Sequence, residues 1–246
     1  MELQRGIIER LSERVDAVGF APIDRFRGAP KEHHPSRVCK DAKTVIVFGR
    51  TVPRGVFKSP DYNLHLLHRA YHTVYPVLDD IALDLAAWIE GEGNYLAVPV
   101  PSYAPLVFHG VEPWGLISLK HAAVAAGFMS FGRSGLAYHP HYGARLRLAA
   151  VITSARLEGT PLLEDMPCPE DCRNCIKACP VEAIHMDGFE KMKCLGHSIK
   201  HAIYPLALKS EEGIRHIERV INTAGHNYWL DCDECLKVCP LNERRR

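Results

Sequence analysis

The chain has 246 residues, is 47% hydrophobic and carries a formal net charge of +1. That length and composition allow one good core plus a small satellite unit. The near-neutral balance excludes a strong overall field for nucleic acid or an anionic membrane, and no apolar run is long enough to span a bilayer.

Leu3, Ile7, Ile8, Leu11, Val15 and Val18 recur at helical spacing, which predicts an amphipathic helix over 2–18, ended by Gly19. A short strand is expected at Phe20–Ile23, and the Pro-, Gly- and charge-rich segment 24–42 reads as loop. Thr44–Phe48 is a buried strand running into Gly49. From Asp61 a long helix is expected, with Val74, Leu78, Ile81, Leu85 and Trp88 on its inner face and Gly91 and Gly93 at its end. Tyr95–Val100 forms a strand, after which prolines at 99, 101 and 105 make the chain irregular. Ser118–Ala126 is a small-residue helix stopped by Gly127, and the turn Gly132–Gly135 precedes a strand over 145–153. Alternating strands and helices over 1–160 predict an α/β (α+β) layer unit. Pro161, Pro167 and Pro169 mark the passage to a second unit, giving expected domains of 1–165 and 166–246.

Eight of the nine cysteines lie in that second unit. They read Cys168-x3-Cys172-x2-Cys175-x3-Cys179-Pro180, then Cys194 and, after a gap of 37 residues, Cys232-x2-Cys235-x3-Cys239-Pro240. Two Cys-x2-Cys-x3-Cys-Pro runs are the ligand pattern of a protein with two [4Fe–4S] clusters. Structural zinc would more simply use spaced Cys-x2-Cys pairs, and disulfides suit small secreted domains. In two-cluster ferredoxins the cysteine before proline serves the other cluster. The expected sets are therefore Cys168, Cys172, Cys175 and Cys239, and Cys194, Cys232, Cys235 and Cys179. Cys168 stands one residue farther out than the bacterial ferredoxin run places it. The insertion 195–231 carries a predicted helix through Ile214, Ile217, Val220 and Ile221, closed by Gly225. Cys39 is remote and reads as an ordinary thiol. The start, Met1–Arg5, shows neither an apolar signal region nor a twin-arginine leader, which together with the thiols predicts a cytoplasmic setting.

Fourteen histidines invite a metal reading elsewhere. His65, His68 and His72 share one face of the long helix, but with Arg69 between them and no carboxylate at ligand spacing, a solvated or anion-facing edge is the expectation. Gly132-x2-Gly135 has neither Walker nor Rossmann spacing. Arg133, Arg145 and Arg147 could meet cofactor amides, a substrate anion or water. Tyr103, Tyr138 and Glu112 are the candidate proton donors, since a buried acid or phenol can protonate a developing carbanion.

Several segments together resemble the epoxyqueuosine reductase and reductive dehalogenase superfamily. They are Val18–Pro22, Asp41–Phe48, Ser118–Ala123 through Phe128, Gly132–Leu136, Pro140–Leu148 and the two cysteine motifs, so the resemblance spans nearly the whole chain. It implies a nitroreductase-like corrinoid-binding domain followed by a two-[4Fe–4S] ferredoxin-like domain, and an oxidoreductase whose clusters feed a cobalamin. It also implies a cofactor cradle containing Lys120, His121, Gly132, Arg133, Gly135, Leu136, Tyr142, Arg145 and Arg147, with an external ferredoxin or flavodoxin as electron donor. Tyr71-His72 resembles a Tyr-His pair of the epoxyqueuosine reductases. This chain departs from them in having no Asp or Glu between Tyr95 and Val111, where they carry an acid. It also stops at its second cysteine motif. These departures set it as a small cytoplasmic branch reducing a small electrophile or a modified base. A pure electron carrier and a tRNA epoxyqueuosine reductase are the alternatives.

Overall fold

The structure is a computed structural model and describes residues 2–103, 105–164, 168–200 and 229–243. Its centre is a four-stranded sheet built from β1 (Ala17–Pro22), β2 (Thr44–Thr51), β3 (Ala97–Val100) and β8 (Leu146–Thr153), in the order β1-β2-β8-β3. All neighbours are antiparallel, with Phe20 opposite Ile46, Val47 opposite Ala150 and Val98 opposite Ile152.

The two-residue period of the strands decides what covers each face. Ile46 and Phe48 of β2, with Ala149 and Val151 of β8, point to one layer and meet α1 (Glu2–Leu11) and α3 (Asn63–Gly91). Val45, Val47, Leu146, Leu148, Ala150 and Ile152 point the other way and meet α4 (Leu119–Ala125) and the short 3-10 turns of 23–37. Because both faces are covered, these strands read as near-continuous apolar runs. A short helix, α2 (Arg54–Phe57), leads into α3, which passes through Pro76 without ending.

Smaller elements frame the site. β4 (Leu106–His109) and β5 (Glu112–Gly115) form a hairpin, and β6 (Ser130–Phe131) and β7 (Ala137–Tyr138) pair on either side of the Gly132–Gly135 turn. The cysteine-rich part carries α5 (Asn174–Ala178), α6 (Lys191–Ser198), the strands β9 (Ile199–Lys200) and β10 (Trp229–Leu230), and α7 (Glu234–Lys237). It docks through a third apolar group in which Val52, Leu67, Tyr71, Tyr75, Tyr138 and Ala144 meet Leu236, Cys239 and Leu241.

The long helix, the small-residue helix and the 44–51 and 146–153 strands lie where periodicity puts them. The first helix does not run to residue 18. It ends at Leu11, because the Asp16 amide donates to the Gly49 carbonyl and draws the chain into β1. Gly19 is therefore a mid-strand residue and no helix stop. The stretch after Val100, expected to be irregular, contains the β4–β5 hairpin. The predicted helix at 214–225 lies outside the described residues. No helix among the described residues is long and apolar enough to cross a membrane.

Candidate metal centres and the adjoining groove

All nine cysteines are free thiols. Their mutual effects reveal which stand together. Burial raises the Cys175 thiol, and the neighbouring thiols of Cys168, Cys239 and Cys172 raise it further. Burial likewise pushes Cys235 up to about 12, with Cys194 and Cys232 the next contributors and Cys175 and Cys179 after them. Cys194 is raised by burial and then by Cys179, and Cys232 is raised by burial and in part by Cys194. These influences associate Cys239 with Cys168, Cys172 and Cys175, and Cys194 with Cys179, Cys232 and Cys235, while Cys235 also senses Cys175, so the two sets adjoin.

Such a donor set suits an iron–sulfur cluster. Thiols driven up by burial and by one another cannot all ionise unaided, whereas a bound cation deprotonates them outright. Among the described residues no three His, Cys, Asp or Glu side chains are placed to hold a single metal ion. A cubane makes a different demand: each thiolate binds its own iron, so the sulfurs surround a cage and do not converge on a point. Peptide N–H groups are also supplied, as where Ala183 N–H donates to Cys179 Sγ at 3.3 Å.

The first unit closes directly onto these loops. Arg133 donates from Nη1 to the Pro169 carbonyl (2.7 Å) and from Nη2 to the Glu170 carbonyl (2.8 Å), clamping the chain beside Cys168. Ala144 N–H donates to Asn242 Oδ1 at 2.8 Å, which ties β8's approach to the second motif. A Cβ on Gly132 would lie 2.5 Å from the Tyr138 ring and 3.1 Å from Cys168 Sγ. A Cβ on Gly135, whose φ is +69°, would lie 2.8 Å from the Phe189 ring. These glycines give their close backbone approach to the cysteine-rich segment.

Beside the second thiol group lies a groove made of two adjoining cavities. One, of about 180 Å³, is lined by Ser102, Tyr103, Pro105, Ile117, Leu119 and Lys120 among others. The other, of about 130 Å³, is lined by Tyr75, Ser102, Lys120, Leu136 and Arg147 among others. Tyr75 and Tyr103 stack with ring centroids 5.9 Å apart. Burial raises the Tyr103 hydroxyl strongly, so the phenol keeps its proton. Lys120 donates from Nζ to the Gly135 carbonyl at 2.7 Å. Burial, then the Arg147 cation, hold its ammonium below the ordinary lysine value, with Cys194 acting the other way. Lys120 thus lines the groove and is influenced electrostatically by Cys194. Ser102 is held by two bonds: its N–H donates to Asp79 Oδ1 at 2.7 Å, and its hydroxyl donates to the Tyr75 carbonyl at 3.3 Å.

The residues expected at a corrinoid cradle divide into three places. Lys120, Leu136 and Arg147 line the groove. Gly132, Arg133 and Gly135 turn toward the cysteine loops. Arg145 is buried, donating from Nη1 to the Val52 carbonyl, while His121 contacts Ser118 and Phe131 and Tyr142 packs on His139. The candidate proton donors divide as well. Tyr103 is in the groove, whereas Glu112 sits on the β4–β5 hairpin, where its Oε2 accepts from Trp114 Nε1 at 3.0 Å and stands 4.0 Å from Lys191 Nζ. Tyr138 is buried against Ser134 and Cys239. His68 and His72 have ring centroids 4.3 Å apart, and His65 is exposed. Sequence reasoning overlooked Tyr75 and Ser102. The i, i+4 pair Tyr71 and Tyr75 on α3 was the available signal.

Residues 168–242 match the family model of the 4Fe-4S double cluster binding domain. The chain is 26% identical over 242 residues to an epoxyqueuosine reductase of Synechocystis, covering 93% of this chain and 72% of that protein. It is 26% identical over 229 residues to one of Staphylococcus aureus, covering 92% of this chain but 47% of that longer protein. Among solved structures, an epoxyqueuosine reductase from Streptococcus thermophilus superposes with a TM-score of 0.66 at 19% identity, over 100% of this chain and 68% of that one. An epoxyqueuosine reductase with an epoxyqueuosine-modified tRNA stem loop gives 0.62 at 20% identity, over 98% of this chain and 66% of that one. A catabolic reductive dehalogenase gives 0.51 at 18% identity, over 93% of this chain and 30% of that one. The structural likenesses speak to fold, and the curated relatives to descent. The chain is a homologue of the epoxyqueuosine reductases, with the fold they share with reductive dehalogenases and a double [4Fe–4S] cluster binding domain.

Proposed function

We propose that the chain is an iron–sulfur reductase of the epoxyqueuosine reductase type, in which two [4Fe–4S] clusters deliver single electrons to the groove lined by Tyr103, Lys120 and Arg147. The observation that carries this reading is the position of Lys120, one side chain that lines the groove, bonds to the Gly135 carbonyl and is influenced electrostatically by Cys194. A corrinoid fits the groove's chemistry: Leu119, Met129, Leu136 and Leu148 offer an apolar floor, and Lys120, Arg147 and Ser102 offer polar groups at its margin. Bound there, it would supply a low-potential centre able to reduce an electrophilic carbon. The Tyr103 phenol, kept protonated by burial, would hold the proton that the reduced product takes up. Lys120 would orient anionic or amide groups, and the Tyr75–Tyr103 stack would keep water from the reacting side.

Descent favours a modified nucleoside of tRNA over a small electrophile as the substrate, because the curated relatives are epoxyqueuosine reductases. The expectation of a branch reducing a small electrophile or a modified base, with a tRNA epoxyqueuosine reductase as an alternative, thus shifts toward that alternative. One observation keeps the small-molecule alternative in play: neither cavity has an Asp or Glu in its lining. The deciding experiment expresses the chain in cells that lack their own epoxyqueuosine reductase and measures queuosine in their tRNA. Restoration establishes the tRNA reading and makes Tyr103 the first candidate for the missing acid's role. Persistent epoxyqueuosine, with iron content intact, moves the substrate to the small-molecule class.

A further inference from the structure

In the β4–β5 hairpin His109 stands directly opposite Glu112, and Trp114, two residues along, shares their face. His33 is buried against this face, its ring stacked on Trp114 with centroids 4.8 Å apart and 18° between the planes. His33 Nδ1–H donates to the Gly115 carbonyl at 2.8 Å. A carbonyl only accepts, so in the neutral ring the lone pair is left on Nε2, which meets His109 Nε2 at 2.8 Å. His109 Nε2 then carries the proton of this N–H···N bond. His109 is exposed, and Trp114 holds Glu112 in place by donating from Nε1 to Oε2 at 3.0 Å. His33, His109, Glu112 and Trp114 do not line the groove, but Gly115, the last residue of β5, does.

Two converging imidazole nitrogens, one oriented from its far side by a bond to a backbone carbonyl, form the arrangement found in metal-ligating histidines. We propose that His33 Nε2 and His109 Nε2 form a binding site for a divalent transition ion of the Zn2+ class, separate from the cysteine motifs. Imidazole suits zinc, copper and nickel, whereas Mg2+ and Ca2+ require oxygen ligands. With Zn–N bonds of about 2.0–2.1 Å at tetrahedral angles the two nitrogens stand about 3.3 Å apart, so the rings need to part by only about 0.5 Å. The exposed His109, beside Gly110 at the hairpin tip, can make that movement. Binding shifts the His109 proton from Nε2 to Nδ1; no proton is lost overall and no electron moves.

Only two side chains ligate, in keeping with the absence of any three-residue metal group among the described residues, and water completes the shell from the exposed side. Glu112 adds negative charge on the same face, with its Oε2 engaged by Trp114. Lys191 offsets part of that charge: it donates from Nζ to the Pro113 carbonyl at 2.7 Å and stands 4.0 Å from Glu112 Oε2. A site of two ligands exchanges its ion readily. When occupied it would act as a clasp, pinning the hairpin to the 3-10 turn Lys31–His33 and, through Gly115, steadying one edge of the groove.

The test uses the anaerobic, iron-loaded chain with Zn2+ alone as the probe. After equilibrium dialysis over a series of zinc concentrations, zinc and iron are measured on the same sample for wild type and His109→Gln. The glutamine amide can still donate to His33 Nε2 and seat the hairpin, while the imidazole ligand is gone. Wild type should take up about one zinc per chain with its iron unchanged. Losing an outer partner of a metal site costs about 10–100-fold in affinity, so losing a ligand in His109→Gln should weaken zinc binding by at least about 100-fold. Equal uptake by the two proteins, or uptake only in proportion to iron released, overturns the site, because the zinc is then on cysteines or bound adventitiously. A second measurement needs only wild type and decides if the variant fails to assemble. Zinc should protect His109 from diethylpyrocarbonate, read by peptide mass, while the exposed His65 still reacts. Modification of His109 to the same extent with and without zinc overturns the proposal.

Discussion

Asn63, in the first turn of the long helix α3, donates from Nδ2 to Asp233 Oδ2 at 2.8 Å, and both side chains are buried. The other Asp233 oxygen lies 3.1 Å from Lys237 Nζ. Asp233 follows Cys232 directly, so this bond anchors the second cysteine motif to the helix that also supplies Tyr75 to the groove. Asn63→Ala should cost about 1–3 kcal/mol, the range for leaving a buried acceptor with one partner fewer. Thermal unfolding of the anaerobic protein measures the loss. The cluster that includes Cys232 should also be the first to release iron on warming; equal release from both would contradict the anchoring role.

Iron content tests the ligand sets. Wild type should hold about eight irons, and Cys175→Ala and Cys194→Ala about four each, with different surviving spectra. Cys39→Ala should keep the full complement, since that thiol is buried in the core of the first unit. Full iron in Cys194→Ala would remove it from the second set.

The groove has its own probe. Leu119 lines both cavities, so Leu119→Trp should fill them with little disturbance to the cysteine loops. Wild type purified with cobalamin should retain about one per chain, and the variant much less, with both clusters still present. Metal analysis for cobalt and iron on one sample reads both outcomes. Undiminished cobalt in Leu119→Trp would place any corrinoid elsewhere.

Gly132→Ala should disturb the first cluster selectively. The new methyl must displace the Tyr138 ring or Cys168 Sγ, and overpacking of this kind costs about 1–3 kcal/mol. Its first-cluster signal should weaken or broaden while the second is kept. An unchanged spectrum would show that the turn has slack.

His139 predicts an acid-sensitive element. Its Nδ1 accepts from the N–H groups of His141 (3.1 Å) and Tyr142 (3.3 Å), and burial, then the nearby His141, hold its pKa down to about 4. The folded protein thus resists a proton that the unfolded chain accepts near 6.5. This contribution is complete above about pH 6.5 and is lost as pH falls toward about 4. His139→Asn keeps an acceptor but removes the titration. Its stability should decline less than that of wild type across this window, and parallel declines would discount the histidine.

Much of the fold was legible because the strongest signals are local. Thr44–Phe48 and residues 145–153 are apolar enough to be strands covered on both faces, and the long helix shows its inner face in Leu78, Ile81 and Leu85. The first helix was overread because Val15 and Val18 fit a helical period as well as a strand's, and pairing with Gly49 decides between them. The β4–β5 hairpin was hidden by its prolines. Cysteine spacing gave the grouping of thiols, since each short loop must wrap a cluster. The cradle was less legible: resemblance marks Gly132–Arg147 as one stretch, but only tertiary packing shows that part of it faces the groove and part faces the thiols.

The Arg133 clamp on Pro169 and Glu170, the Ala144–Asn242 bond and the Asn63–Asp233 bond have a kinetic consequence. They fasten both cysteine motifs to the unit that forms the groove, so on the proposed route an electron reaching the clusters would have no diffusional encounter left to make. Delivery within the chain would then be first order and independent of protein concentration. Dilution would slow only the arrival of the external reductant. A freely dissociating carrier would lose rate at both ends.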